Sequence, residues 1–224
     1  MNTAMIEILV AKDWYLQRWT IVGYLLIGAV AIGLLGFGGE GAFYAGTILL
    51  ITVLLGLGMH VAMATVVAER TEKTLPFVMS LPISPTEYTT AKIAANLLIF
   101  LVPWVVLTIA TAVVILGRDD VPDGLLPFTA LTLVYIFVSY ALVLSAALIS
   151  ESIGWTIGVM VTCNLGLQAF LYTVSRLPSI AATIKGQDMV WTPAALSVLA
   201  AELLTIAVLV GLTFWLQSRK TDFL

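Results

Sequence analysis

Six long apolar runs, separated by short polar segments, set the plan of this chain. A window of ~19 residues places them at about 19 to 38, 43 to 68, 91 to 116, 128 to 149, 153 to 175 and 194 to 216, each long enough to cross the hydrocarbon core as a helix. The pattern predicts an all-α polytopic membrane protein with six transmembrane helices. It forms one membrane domain over residues 1 to 224, since no linker, internal repeat or low-complexity stretch divides it. Ahead of the first run, Met5, Ile8, Leu9, Tyr15, Leu16 and Trp19 share one helical face, with Lys12 among them able to reach the phosphate layer. Residues from about 4 to 18 therefore read as an interfacial helix leading into the first span. Glu7 and Asp13 interrupt this stretch and no small-residue cleavage site follows it, so it does not read as a signal peptide.

The longest polar break runs from Glu69 to Lys92, ERTEKTLPFVMSLPISPTEYTTAK. Inside it Leu75 to Leu81 is apolar, yet far below the ~20 residues a span needs, and charges flank it on both sides. Thr74 offers a cap, Pro76 suits a first helical turn, and Pro82 disfavours helix at Leu81, which leaves about two turns of helix. Ser84, Pro85 and Glu87 then spell a capping box with proline at the first helical position, so a second, long helix starts there and runs into the third span.

These residues resemble the family of type-two ABC exporter permeases, the membrane subunits that pair with a separate ATPase. In that family a Glu-Arg pair leaves the second span, followed by Thr-Leu, a short apolar helix, Pro-Ile/Val-Ser, Glu-Tyr/Ile and a Lys entering the third span. Here those positions are Glu69, Arg70, Thr74, Leu75, Pro82, Ile83, Ser84, Glu87, Tyr88 and Lys92, while Lys73 stands where many members carry Gly. The resemblance implies a short cytoplasmic coupling helix between spans two and three. Leu75, Phe77, Val78, Met79 and Leu81 would fill a cleft on the ATPase, with Glu69, Arg70 and Glu72 making charged contacts beside it. It also implies a second permease copy or a related permease as partner, ATP and Mg bound by the ATPase, and export of a drug, peptide, lipid or saccharide.

Composition agrees: 61% hydrophobic residues, 10% charged and a mean hydropathy of +1.08 exceed what a water-soluble domain shows. A net charge of −3, held in short loops, offers no field for nucleic acid. Lys12, Arg18, Arg70, Lys73, Lys92, Arg219 and Lys220 fall on one side of the six spans, against Arg118, Arg176 and Lys185 on the other. The positive-inside bias then puts both termini and the 69–90 loop in the cytoplasm of a multi-pass cell-membrane protein. The outer loops, about 117 to 127 and 176 to 193, are too short for a folded ectodomain. Asp119 and Asp120 could bind a cation or form an ordinary solvated loop.

Chemistry is sparse. No GxxxxGK[ST] loop occurs, so the sequence carries no ATPase site of this kind and no catalytic residue is assigned. His60 has no second histidine to share a metal, Cys163 has no cysteine partner, and no metal or cofactor is expected in the chain. In the fifth span Gly154, Gly158, Thr162 and Gly166 repeat every fourth residue and make a small-residue stripe for close helix approach. With Ala29, Gly33 and Gly36 of the first span they are candidates for the contact between permease subunits that the family builds from these two spans. Asn164 and Gln168, on a neighbouring face with Met160 and Tyr172, either line a translocation path or hold spans together. Glu202, about two turns into the sixth span, could serve a cationic substrate, an outer gate or a helix contact. Pro103 is expected to kink the third span. Two other classes stay open on these residues: a gradient-driven carrier using Glu202, and an intramembrane enzyme using His60 and Glu202.

Overall fold

A computed structural model describes residues 3–71, 84–150 and 152–219. The described residues form only helices and turns, and six helices are long and apolar enough to span a membrane. In chain order these are α1 (Thr3–Phe37), α2 (Glu40–Ala62), a π-helical turn (Met63–Val67) that continues it into α3 (Ala68–Thr71), α4 (Pro85–Leu116), α5 (Leu125–Ser150), α6 (Ile153–Ser175), the short α7 (Pro178–Ala181) and α8 (Pro193–Ser218).

Local chemistry explains the helix starts. Ser84 Oγ accepts from the Glu87 backbone N–H at 3.3 Å, and the Ser84 N–H donates to Glu87 Oε2 at 2.9 Å, which completes the expected capping box with proline in the first turn. Thr192 likewise accepts from the Ala195 N–H at 3.2 Å ahead of Pro193. The α4 helix is one assigned element through Pro103.

The stretch read as an interfacial helix continues into the first span as one unbroken helix, because residues 3 to 37 contain no proline and no capping break. At 1.5 Å per residue α1 is about 52 Å long and α4 about 48 Å, against a core of ~30 Å, so both project beyond the hydrocarbon. The Lys12 ammonium lies 2.9 Å from Glu69 and 3.3 Å from Asp13.

The core is built by α1, α2, α4 and α5, where Leu54, Leu57, Val61, Ile99 and Phe100 are fully buried. Helix α8 packs on α5 and α4, while α6 packs chiefly on α5. Close approach of α1 and α2 depends on Gly46, where a Cβ would lie 2.8 Å from the Ala31 carbonyl oxygen. At the end remote from α3, the Gly124 N–H donates to Gly186 O at 2.9 Å, and a Cβ on Gly124 would overlap the Thr183 carbonyl. Arg118 joins the same end to α1 by donating to Leu35 O and to Gly38 O, while pairing with Asp120.

Candidate functional site

Where α1 and α4 project together, a buried polar cluster joins them to the end of α2 and to α3. Lys92, 2% exposed, donates to Asp13 Oδ2 at 2.7 Å, Glu69 Oε1 at 2.7 Å and the Thr65 carbonyl at 3.1 Å, so all three ammonium protons are used. Glu69 Oε1 also receives Lys12, and Oε2 receives the Tyr88 hydroxyl at 3.0 Å. Two carboxylates and two ammonium groups thus balance, with Lys92 and Asp13 buried and Lys12 at the exposed side. Burial pushes the Glu69 carboxyl up, but the ammonium groups of Lys92 and Lys12 outweigh it and hold its pKa below the ordinary value of 4.5.

The Thr65 carbonyl lies in the π-helical turn, a widened turn of a kind that often marks a functional position. The Thr65 hydroxyl shares its proton between Val61 O at 2.8 Å and Asn96 Oδ1 at 2.7 Å, and Asn96 Nδ2 returns to Lys92 O at 2.9 Å. Tyr140 of α5 extends the chain by donating to Asn96 O at 2.8 Å, with its ring stacked on Phe100. Five helices and the turn meet in one hydrogen-bonded network. Sequence reasoning named Glu69 and Lys92 but missed Asp13, whose interruption of an apolar helix was the available signal.

This geometry changes the reading of Glu69. Expected at a docking surface, its carboxylate turns inward because Lys12, Lys92 and Tyr88 offer three charged or polar donors there. Arg70 closes α3. Glu72, Thr74, Leu75, Phe77, Val78, Met79 and Leu81, with the short helix expected around them, lie outside the described residues.

The small-residue candidates divide. In α6, Gly154, Gly158 and Thr162 are exposed, and a Cβ on Gly158 would meet nothing within 4 Å. Gly166 is used inside the chain: a Cβ there would sit 2.5 Å from the Tyr135 hydroxyl. Ala29 is exposed, Gly33 has open space beside it, and Gly36 faces Val114 of α4.

A cavity of about 710 Å³ lies between α2 and α6 at the end remote from the charged cluster, lined among others by Leu50, Val114, Phe128 and Leu133. Gln168 and Tyr172 reach it, whereas Asn164 donates back to the Met160 carbonyl at 2.9 Å and is not among its lining residues. Glu202 is 7% exposed in α8, and neither carboxylate oxygen has a hydrogen-bond partner among the described residues. His60 is exposed, its ring 6.1 Å from that of Tyr24, and Cys163 is buried. Among the described residues no group of His, Cys, Asp and Glu could hold a metal ion.

Comparison with curated proteins and with solved structures returned no match. A family model described as ABC-2 family transporter protein does match, over residues 38–186, about two-thirds of the chain. The match spans α2 to α6 with the capping box and Lys92, and it agrees with six membrane-crossing helices. The chain therefore belongs to the ABC-2 family of transporters, as one of their multi-pass membrane permeases.

Proposed function

We propose that this permease is the membrane half of an ATP-driven exporter, and that a separate cytoplasmic ATPase docks on the segment around Leu75 to Leu81. The observation that carries the reading is the cluster of Asp13, Lys92, Glu69 and Lys12. It binds α1, α3 and α4 together on either side of residues 72–83, so force applied to that segment acts on three spans at once. Both termini and the loop face the cytoplasm, in keeping with seven basic residues on that side against three on the other. A second permease copy packs on the open stripe of Gly154, Gly158 and Thr162 together with Ala29 and Gly33. Gln168 and Glu202 stand on the substrate's route, with Asn164 beside them.

Docking is tested by Leu75→Asp and Val78→Asp. Each abolishes co-purification with the ATPase while membrane insertion persists; binding retained in both variants overturns the reading. The buried carboxyl of Glu202, without a hydrogen-bond partner among the described residues, also favours a second reading, a gradient-driven carrier. Transport in vesicles that hold ATP but no ion gradient excludes that alternative.

A further inference from the structure

We propose that the cavity between α2 and α6 binds one phospholipid of the leaflet remote from the 72–83 loop, with an acyl chain inside and the phosphate on Arg176. This goes beyond the transport reading and does not depend on an ATPase.

The volume of about 710 Å³ falls in the ~300–1,000 Å³ range of ligand sites. Three hydroxyl groups on its wall are already spent: Thr47, Thr111 and Thr132 donate to the carbonyls of Phe43, Leu107 and Phe128 at 2.9, 2.7 and 3.0 Å. A polar solute entering there would lose its hydration without recovering hydrogen bonds, whereas an alkyl chain has none to lose.

None of the lining residues is charged, and a cation stands beside one edge. Tyr172 and Ser175 line the cavity at the end of α6, and the Arg176 guanidinium lies 3.9 Å over the Tyr172 ring. One Arg176 N–H donates to the Tyr172 hydroxyl, which holds the guanidinium against this lining residue. Arg176 has no carboxylate partner among the described residues. Four N–H donors remain for an anion, and guanidinium geometry suits the paired oxygens of a phosphate. Tyr44 of α2 and Tyr172 of α6, 61% and 59% exposed, flank the opening. An apolar chamber with one unpaired cation at its edge selects an anionic amphiphile, and the phospholipids of the surrounding bilayer supply it at high local concentration.

The full chain, purified and placed in phosphatidylcholine vesicles, is photolysed with a trace of phosphatidylglycerol carrying a diazirine midway along one acyl chain. Adducts are mapped by peptide mass spectrometry. They are expected on Thr111, Thr132 and Leu133, only 3%, 5% and 3% exposed and so shielded from bulk lipid. Arg176→Gln lowers these adducts at least about threefold, the loss of a charged hydrogen bond near water. Labelling of Leu204 and Val208, 66% and 55% exposed on α8, stays constant and reports an intact fold. A diacylglycerol probe with the same chain and no phosphate labels the cavity no better than phosphatidylglycerol labels the Arg176→Gln protein. Adducts confined to exposed positions, an Arg176→Gln protein labelled like the parent, or equal labelling by diacylglycerol each overturns the proposal.

Discussion

Lys92→Met tests the buried cluster most directly, because the change keeps most of the side chain's length and removes only its charge. In the parent, Lys92 serves two carboxylates at 2.7 Å each and a backbone carbonyl at 3.1 Å. Without it Asp13 and Glu69 face one remaining ammonium, that of Lys12, which is 37% exposed. Removing one member of a buried ion pair costs about 3–5 kcal/mol; Lys12 relieves part of this, so we expect about 3 kcal/mol. For a chain of this size that is a fall of roughly 6–12 °C in midpoint temperature. Lys12→Met, by contrast, removes a partly exposed partner and costs about 1 kcal/mol or less. Thermal unfolding in detergent, followed by near-ultraviolet circular dichroism, compares the two. Adding Asp13→Asn to Lys92→Met recovers part of the loss, with a coupling of about 1–3 kcal/mol in a double-mutant cycle. The sign of the pH response follows from Glu69. Its folded pKa is depressed, so its contribution is present above the ordinary value of 4.5 and disappears as pH falls through the lower folded value. In Lys92→Met the acid loss begins at higher pH, since one carboxylate has lost its strongest partner. Equal costs for Lys12→Met and Lys92→Met, or a neutral Lys92→Met, would refute the cluster as the tie between these helices.

Two further predictions concern the spans. Glu202→Leu removes a buried carboxyl whose oxygens have no hydrogen-bond partner among the described residues and should raise stability by about 1–3 kcal/mol, with Glu202→Gln gaining less; a destabilised Glu202→Leu protein would show that the carboxyl has a partner in the assembled transporter. Gly158→Leu meets no atom within 4 Å of the new Cβ, so the protomer keeps its midpoint temperature while permease dimers are lost in light scattering; dimers that survive rule out this stripe as their interface. Gly166→Leu collides with the Tyr135 hydroxyl and costs about 1–3 kcal/mol in the protomer itself.

The spans and the start of α4 were legible because they are properties of neighbours in sequence. Hydropathy over ~20 residues locates a bilayer crossing, and Ser84 and Glu87 satisfy each other's backbone across three positions. The unbroken α1 was not legible. A sequence with charges early and apolar residues later fits an interfacial helix plus a span as well as one long helix, and the choice is made by tertiary partners. Leu9 packs with Tyr88 and Ala91, and Asp13 meets Lys92; these contacts hold the first turns of α1 against α4 and leave no reason to bend.

The same argument separates the two halves of the small-residue stripe. Gly154, Gly158, Thr162 and Gly166 are equivalent by spacing, yet Tyr135 of α5 occupies the space beside Gly166, and among the described residues no other helix comes within 4 Å of the Cβ position at Gly158. Periodicity can show that a helix face is flat; it cannot show whether the partner is in the same chain. Charge behaves likewise. Asp13, Glu69 and Lys92 each look like an ordinary residue at a membrane boundary, separated by 56 and 23 positions, and the sequence offers no term that joins them. What joins them is length: α1 and α4 both outrun the ~30 Å core, their projecting ends must cover each other's backbone and side chains, and a charge trapped between them persists only if opposite charges are trapped with it. Ionisable residues just beyond two over-long spans are therefore better read as a set, with their signs summed, than one by one.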